Sequence, residues 1–256
     1  MTFDDDLNAC AALVHKGDPD RFAAVMAAPV SARAVLFPLY AFNVEVSRAP
    51  WVTKEPIIAE MRLQWWRDAL QEIASRGIVR RHEVVTPLAL VLKPEQAQML
   101  DALIEARRWD IGTTAFDDEA ALWHYLESTT GTLLRVAAAA LGAPDADDPG
   151  LMRAARGIAM ANWMRALPAL EAMGKRPLHD GRPETLADLA QKALNDLDVP
   201  KKLSAPSRTV LLSGWAARRT LRAVTKHPLR VAAGDLEPAP LTRSLSLTRA
   251  RLAGRI

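Results

Sequence analysis

The sequence predicts an all-α protein, and three observations lead to this fold class. Apolar residues recur at the three- to four-residue spacing of an amphipathic helix along almost all of the 256 residues. Capping side chains, prolines and glycines divide this pattern into segments of helical length. The only stretch that could be extended is IVRRHEVV at 78–85, and it is short. Together these features predict about eight to ten helices around one core.

Most of the predicted helices begin at a capping side chain or a proline. A capping side chain accepts a hydrogen bond from a free N–H group of the first turn, and proline has no N–H group that needs a partner there. The predicted starting signals are Asp18, Ser31, Thr53, Pro94, Asp117 with Asp118, Pro183 and Ser207. In chain order, the predicted helices cover 21–28, 32–47, 53–76, 94–109, 117–136, 152–172, a short segment from 183, 207–221 and 241–252.

Composition favours one domain over residues 1–256 and a cytoplasmic location. Half of the residues are hydrophobic, which is enough for a substantial core, and no apolar run reaches membrane-spanning length. The first ten residues, MTFDDDLNAC, carry three aspartates and no basic residue, unlike a secretory signal or a mitochondrial presequence. Cys10 is the only cysteine, so we expect a small buried apolar residue and no internal disulfide.

Charge is distributed unevenly along the chain. Residues 201–256 hold 12 Lys or Arg and 2 Asp or Glu, whereas the first 200 residues hold 21 and 28. A basic helical C-terminal part from about residue 201 predicts an anionic partner, either a membrane surface or the acidic body of the same chain. A solvated helix face explains the pattern equally well. Nucleic acid is not expected, because no aromatic residues are interleaved with the basic ones.

Motifs for metal or nucleophilic chemistry are scarce. No GxGxxG, P-loop, HExxH or GxSxG motif occurs, and the five histidines are scattered singly, as expected of structural residues. Asp101 and Glu105 have helical spacing, but they lie on a polar stripe that continues into Arg107 and Arg108. From the residues alone, we therefore expect no metal and no other cofactor.

Several short elements between residues 33 and 178 carry a family resemblance. They are Arg33, LYAF at 39–42, RLQWWRDAL at 62–70, YLESTTGTLL at 125–134, NWMRALPAL at 162–170 and KRPL at 175–178. In this order they resemble the squalene/phytoene synthase family, all-α enzymes of the isoprenoid synthase fold that condense two prenyl diphosphates head to head. The resemblance covers most of the chain up to about residue 180, and it implies a helical bundle of the same type.

The resemblance also implies that this chain has lost both Asp-rich motifs, which hold Mg²⁺ on the substrate diphosphate. Their positions fall on Ser47, Arg48, Trp51, Ala166 and Leu170. When a prenyl diphosphate ionises, the leaving diphosphate is highly charged and must be stabilised by metal ions. Mg²⁺ requires hard oxygen ligands in octahedral array, which the side chains at these positions do not provide. We therefore expect no catalytic residues at these positions.

The remaining residues resemble one branch of the family. AFNVEVSR at 41–48 followed by MRLQWWRDAL at 61–70 is similar to synthase-like proteins that lack the Asp-rich motifs and support the assembly of respiratory complex I. The resemblance implies a non-catalytic assembly factor, whose partners are complex I subunits or assembly intermediates. The basic C-terminal part adds the expectation of peripheral contact at the inner membrane. Two alternatives stay open: an isoprenoid-, quinone- or lipid-binding protein, and a prenyltransferase of the phytoene/squalene synthase type with Mg²⁺ as its cofactor.

The resemblance nominates a set of cavity or partner-site residues. They are Arg33, Tyr40, Phe42, Asn43, Glu45, Trp65, Trp66, Arg67, Tyr125, Gly131, Asn162 and Arg165. Structural roles compete with functional ones at several of them. A Trp pair usually has one core member and one partly exposed member. Asn43 and Glu45 are expected to pair with Arg33 or Arg67, and Gly131 is expected to allow close approach of a helix or a ligand tail.

Overall fold

The structure, a computed structural model, describes residues 3–53, 55–199, 203–237 and 240–253. Within these ranges it contains helices, turns and loops but no strand, which confirms the all-α prediction. The segment 78–85 does not form the extended structure that its composition allows. It runs as an irregular loop to His82 and then enters a short helix at Val85, in which Val85, Pro87 and Leu88 are buried.

The α-helices are numbered here in chain order. They are α1 (Phe3–Gly17), α2 (Pro19–Ala27), α3 (Arg33–Arg48), α4 (Pro56–Ala74), α5 (Val85–Val91), α6 (Pro94–Arg107), α7 (Glu119–Leu126), α8 (Thr132–Ala140), α9 (Asp148–Ala172), α10 (Pro183–Asp196), α11 (Ala205–Leu211), α12 (Ala217–Lys226), α13 (Leu229–Ala232) and α14 (Pro240–Ala253). A π-helical turn, Glu127–Gly131, joins α7 to α8.

Helix starts follow local chemistry, with three differences from the predictions, one of which is that α4 begins at Pro56 with Glu55, not Thr53, at its N-cap position. The Asp18 and Asp118 carboxylates accept hydrogen bonds from the backbone N–H groups of the first turns of α2 and α7, as expected of caps. Ser31 does not cap α3, because a 3₁₀ turn, Val30–Ala32, intervenes. In α11 the cap is Ser204, not Ser207, and the Ser207 N–H donates to it.

The chain forms two compact units, and the first comprises residues 3–112 and 132–145. In this unit α4 packs on α6, α1 packs on α3, and α8 packs against both α3 and α6. Side chains from these helices are almost fully buried and form the core: Cys10, Leu36, Leu39, Tyr40, Phe42, Leu63, Leu100, Leu103 and Leu133. Their burial fixes α3, and with it the C-terminal turn of α3 that the sequence singles out.

The second unit comprises residues 113–131 and 146–253. Its long helix α9 packs against the π-helical turn, α10 and α12. Gly157 permits the approach of α10, because a Cβ there would lie 2.8 Å from the Ala193 carbonyl oxygen and 2.6 Å from Leu197 Cδ2. A Cβ at Gly131 would lie 2.7 Å from the terminal methyl carbon of Met152 on α9, so this glycine also permits close packing against α9. The expectation of a single domain stays a prediction.

The described residues of the basic C-terminal part include the helices α11 to α14, and α12 has two distinct faces. Thr220, Leu221 and Val224 are buried against the second unit. Arg219, Arg222 and Lys226 are exposed on the other face, and Arg218 is held by an ion pair to Asp198 at 2.9 Å. Within the described ranges, no helix is both long enough and apolar enough to cross a bilayer.

Candidate functional site

The C-terminal turn of α3 lines a pocket of about 450 Å³ in the first unit. Glu45 and Arg48 lie on this turn, Ala49 begins the 3₁₀ turn that follows, and Val52 comes directly after that turn, so the four residues continue at helical spacing along one side. The residues lining the pocket are Glu45, Arg48, Ala49, Val52, Arg62, Trp65, Trp66 and His82. Three nominated residues, Glu45, Trp65 and Trp66, thus meet beside Arg48, where the resemblance places a metal-binding carboxylate.

Aromatic rings form one wall of the pocket. The Trp65 and Trp66 rings meet edge to face with centroids 4.9 Å apart, and the His82 ring lies 5.1 Å from the first and 5.6 Å from the second. Trp66 is buried and also packs edge-on against Phe42 at 5.4 Å, whereas Trp65 is half-buried. The pair therefore divides as expected into one core residue and one residue available to the pocket.

Two charged residues outside the pocket hold Trp65 in place. The Arg80 guanidinium lies over the Trp65 ring, 4.8 Å from its centroid. Glu72 accepts hydrogen bonds from the Arg80 side chain, the shortest at 2.6 Å, and from the Arg80 backbone N–H at 2.9 Å. These hydrogen bonds hold the pKa of the Glu72 carboxyl below its ordinary value. The orientation of the half-exposed Trp65 indole is therefore stabilised by Arg80, which Glu72 holds in place.

Cationic and hydrogen-bonding groups complete the pocket. Arg62 has no ion-pair partner within the part of the chain that the structure describes, and Arg48 lies 3.8 Å from Glu45, at the long end of an ion pair. His82 Nδ1 accepts a hydrogen bond from the Val84 N–H, so in the neutral ring Nε2 carries the proton. The arrangement suits an anion beside an aromatic surface.

The carboxylates of this region do not assemble a metal site in the described chain. No group of three or more His, Cys, Asp or Glu side chains suited to a metal ion occurs among the described residues. Ser47 donates its hydroxyl hydrogen bond to the Val44 carbonyl at 3.0 Å. Neither Ser47 nor Trp51 is among the residues that line the pocket.

The expected pairing of Asn43 and Glu45 with Arg33 or Arg67 is wrong. Arg67 donates to Asp101 at 2.7 and 2.9 Å and to Glu105 at 3.0 Å. These two carboxylates lie on α6, which packs on α4, and Asp101 offers the two-point geometry that guanidinium prefers.

Arg33 is engaged elsewhere as well, since it donates to the Met26 carbonyl at 3.1 Å. Asn43 is buried in the first unit, and Tyr40 and Phe42 lie in its core. These three side chains of α3 therefore belong to the packing of the unit, and they do not line the pocket.

The nominated residues of the second unit form a separate group around α9. Tyr125 and Trp163 rings lie 5.3 Å apart, Phe116 packs on both, and the Trp163 indole N–H donates to the Pro177 carbonyl. Arg165 donates to Glu237 at 2.5 and 2.9 Å. Asn162 and Ala166 are half-buried and Leu170 is buried.

Sequence reasoning missed four charged or titratable members of the first-unit site: Arg62, Glu72, Arg80 and His82. Arg80 and His82 come from the loop that precedes α5, which the sequence pattern left as a short extended stretch. The available signal was compositional, since this loop brings two arginines and a histidine shortly after a Trp pair. Sequence spacing alone does not predict that the side chains of this loop pack against Trp65 and Trp66 on α4.

The helical architecture defines the class of protein, an isoprenoid synthase-type bundle. It is similar to a crystal structure of a dehydrosqualene synthase in complex with ligand, with a TM-score of 0.76 and 12% identity over 98% of this chain and 97% of that one. It is also similar to squalene synthase HpnC from Alicyclobacillus acidocaldarius, with a TM-score of 0.70 and 17% identity over 89% and 95% of the two chains. A model of the squalene/phytoene synthase family matches residues 14–178. The chain belongs to this family.

Relatives with greater sequence identity carry a different description. The chain is 29% identical over 167 residues to the Drosophila melanogaster protein "NADH dehydrogenase (ubiquinone) complex I, assembly factor 6 homolog", covering 62% of this chain and 50% of that protein. It is 26% identical over 148 residues to assembly factor 6 of Bos taurus, covering 53% and 41%. The human protein of the same description is 24% identical over 137 residues. The chain spans about half the length of the curated relatives it matches.

Proposed function

We propose that this protein is a non-catalytic member of the squalene/phytoene synthase family that acts as an assembly factor for respiratory complex I. The observation that carries the proposal is its similarity to the complex I assembly factor 6 proteins, which reaches 29% identity over 167 residues. Its partners are then complex I subunits or assembly intermediates, met in the cytoplasm or at the inner membrane.

The chemistry of the pocket supports the non-catalytic part of the proposal. Mg²⁺ bound to a diphosphate needs several carboxylate oxygens on one surface. At the pocket, α3 presents Arg48 with the single carboxylate of Glu45, and α4 adds Arg62. Arginine binds anions directly, but it cannot act as the metal that stabilises a leaving diphosphate.

Membrane association is a second property, favoured by α12. Arg219, Arg222 and Lys226 form an exposed basic face on a helix whose opposite side is buried. Each basic residue near an anionic bilayer contributes about 1 kcal/mol of attraction. Peripheral binding to an anionic inner membrane would bring the protein to the place where complex I is built.

Deletion of the gene in its host tests the assembly role. Membranes of the deletion strain are separated on a native gel and stained for NADH dehydrogenase activity. We expect the full-size complex to be lost and to return when the intact gene is restored. A full-size complex at wild-type level in the deletion strain would remove the assembly role.

The two remaining alternatives have their own readouts. Extraction of the purified protein followed by mass spectrometry would detect an isoprenoid, quinone or lipid retained from the cell. Incubation with Mg²⁺ and a prenyl diphosphate, followed by a phosphate assay after pyrophosphatase, would detect a prenyltransferase. We expect no diphosphate release in that incubation.

A further inference from the structure

An apolar stripe on the first two turns of α4 faces solvent beside the pocket. Ile57, Ile58, Met61 and Trp65 fall within about 100° of one another around the helix axis. The first three are exposed and Trp65 is half-exposed, although each is a residue type normally buried in a core. The opposite face of α4, with Ala59, Leu63 and Trp66, is already buried in the first unit.

The stripe and the pocket form one continuous surface, which we name the α4 surface and define by Val52, Ile57, Ile58, Met61, Arg62 and Trp65. Val52, Arg62 and Trp65 line the pocket, and Met61 precedes Arg62 in the same helical turn. The distance along α4 from Ile57 to Trp65 is about 12 Å, roughly two turns of a helix. Helix recognition typically uses anchors at this length and spacing.

Charges along α4 indicate which occupant suits the surface. Arg62 lies near its centre, Glu60 at its flank is paired with Arg108, and the carboxylates of Glu55 and Asp68 lie beyond its two ends and are exposed. An anionic bilayer would be repelled at both ends. A protein helix with an apolar face and one acidic residue near its middle matches the pattern, because its carboxylate meets Arg62 while its apolar side chains cover the stripe.

We propose that the α4 surface docks an amphipathic helix of a partner protein, with an aspartate or glutamate of that helix seated in the pocket against Arg62 and Arg48. This inference rests on the proposed function, in which the partner is a complex I subunit or assembly intermediate. It adds the surface, the secondary structure of the partner segment and the charge that the segment carries.

Site-specific photo-cross-linking in the host tests the docking surface directly. The photoreactive residue is introduced as Met61→p-benzoylphenylalanine, and the matched control is Leu90→p-benzoylphenylalanine. Met61 is 67% exposed and Leu90 is 68% exposed, and both lie on helices of the first unit. We expect a product from position 61 that is absent from position 90. Its peptides should map to one amphipathic segment that contains an acidic residue.

Charge reversal then separates docking from incidental proximity. Arg62→Glu in the cross-linking protein should lower the yield of the product about tenfold, and changing the acidic residue of the mapped segment to Arg should restore it. Lys16→Glu, an exposed reversal on α1, should leave the yield unchanged. Thermal unfolding of each purified variant checks that the fold is retained.

The outcomes distinguish the docking surface from the proposed function. Equal products from positions 61 and 90, a yield insensitive to Arg62→Glu, or cross-links only to lipid or to a second copy of this chain would each overturn the docking surface. A mapped helix with charge rescue in a protein unrelated to complex I, together with normal complex I in the deletion strain, would remove the proposed function and leave the surface standing.

Discussion

The guanidinium carbon of Arg80 lies 4.8 Å from the centre of the Trp65 ring, and the two residues come from different segments of the first unit. Arg80 belongs to the loop before α5, while Trp65 lies on α4. Glu72, two turns after Trp65 on α4, forms an ion pair with the Arg80 guanidinium. The orientation of a pocket-lining indole therefore depends on an ion pair that does not itself reach the pocket.

Glu72→Gln should weaken this arrangement in a pH-dependent way. The pKa of Glu72 is lowered in the folded protein from an ordinary value of 4.5, so its stabilising contribution is present above about pH 4.5 and is lost as the pH falls through the folded pKa. We expect the free energy of unfolding to fall by about 1 kcal/mol at pH 7, with a smaller difference at pH 3. Urea unfolding at both pH values measures it, with the exposed Glu83→Gln as control. An equal loss at both pH values would contradict the ion-pair explanation.

Two glycines of the second unit should respond differently to the same substitution. A Cβ at Gly157 would meet the Ala193 backbone oxygen at 2.8 Å, and backbone cannot move aside without shifting α10. Gly157→Ala should therefore cost about 1–3 kcal/mol. At Gly131 the obstacle is the terminal methyl of Met152, which can rotate away, so Gly131→Ala should stay within about 1 kcal/mol of wild type. Equal midpoints of thermal unfolding for the two variants would be inconsistent with this difference.

Cys10 should be unreactive until the first unit opens. Burial, reinforced by the negative charges of Asp6 and Glu83, raises the pKa of its thiol from 9.0 to about 12. Since the thiolate is the reactive form, we expect a disulfide reagent at pH 8 to label the native protein slowly and the urea-unfolded protein quickly. Free cysteine in the same buffer gives the reference rate. Labelling of the native protein within seconds would show that Cys10 is accessible.

The basic face of α12 should govern binding to anionic vesicles. Arg219→Glu with Arg222→Glu reverses two exposed charges, and we expect at least about a tenfold loss of affinity for phosphatidylserine-containing vesicles. Arg218 is left unchanged because it pairs with Asp198. Lys16→Glu with Arg176→Glu makes the same change in net charge at exposed positions elsewhere. Equal sedimentation of both double variants would show that α12 has no special role.

Restoring carboxylates should not restore prenyltransferase chemistry. We expect a variant with Ser47→Asp, Trp51→Asp, Ala166→Asp and Leu170→Asp to release no diphosphate from a prenyl diphosphate with Mg²⁺, because the residues that orient metal ligands are also required. Leu170 is buried, so the half-buried pair Ser47→Asp with Ala166→Asp serves as a variant that folds more readily. Measurable turnover by either variant would show that a near-complete metal site survives.

Much of the fold could be predicted because its signals are local. Asp18, Asp118, Pro94 and Pro183 mark helix starts through chemistry confined to one turn. The first helix was missed although three aspartates in its first turn and a histidine and lysine in its last turn complement the helix dipole. The π-helical turn at Glu127–Gly131 has no comparable local signal, since it arises where a helix accommodates the packing of α9.

The site was predicted only in part, because its contacts are not local. Glu45 and the Trp pair were nominated from the resemblance, and they do lie together. The partner of Arg67 could not be read from spacing, since Asp101 lies 34 residues away on a helix whose neighbours depend on the tertiary fold. The packing of α4 on α6, and not the spacing along the sequence, determines which side chains pair with Arg67.

The order in which the chain passes between the two units affects how the protein folds during its synthesis on the ribosome. Residues 113–131 belong to the second unit, and the chain then returns to the first unit with α8, which packs on α3 and α6. The first unit therefore cannot complete its core until residue 145 has emerged, when part of the second unit has already been made. For the same reason, a fragment that stops at residue 112 would expose the apolar side chains that α8 normally covers. An excised first unit must include the return segment.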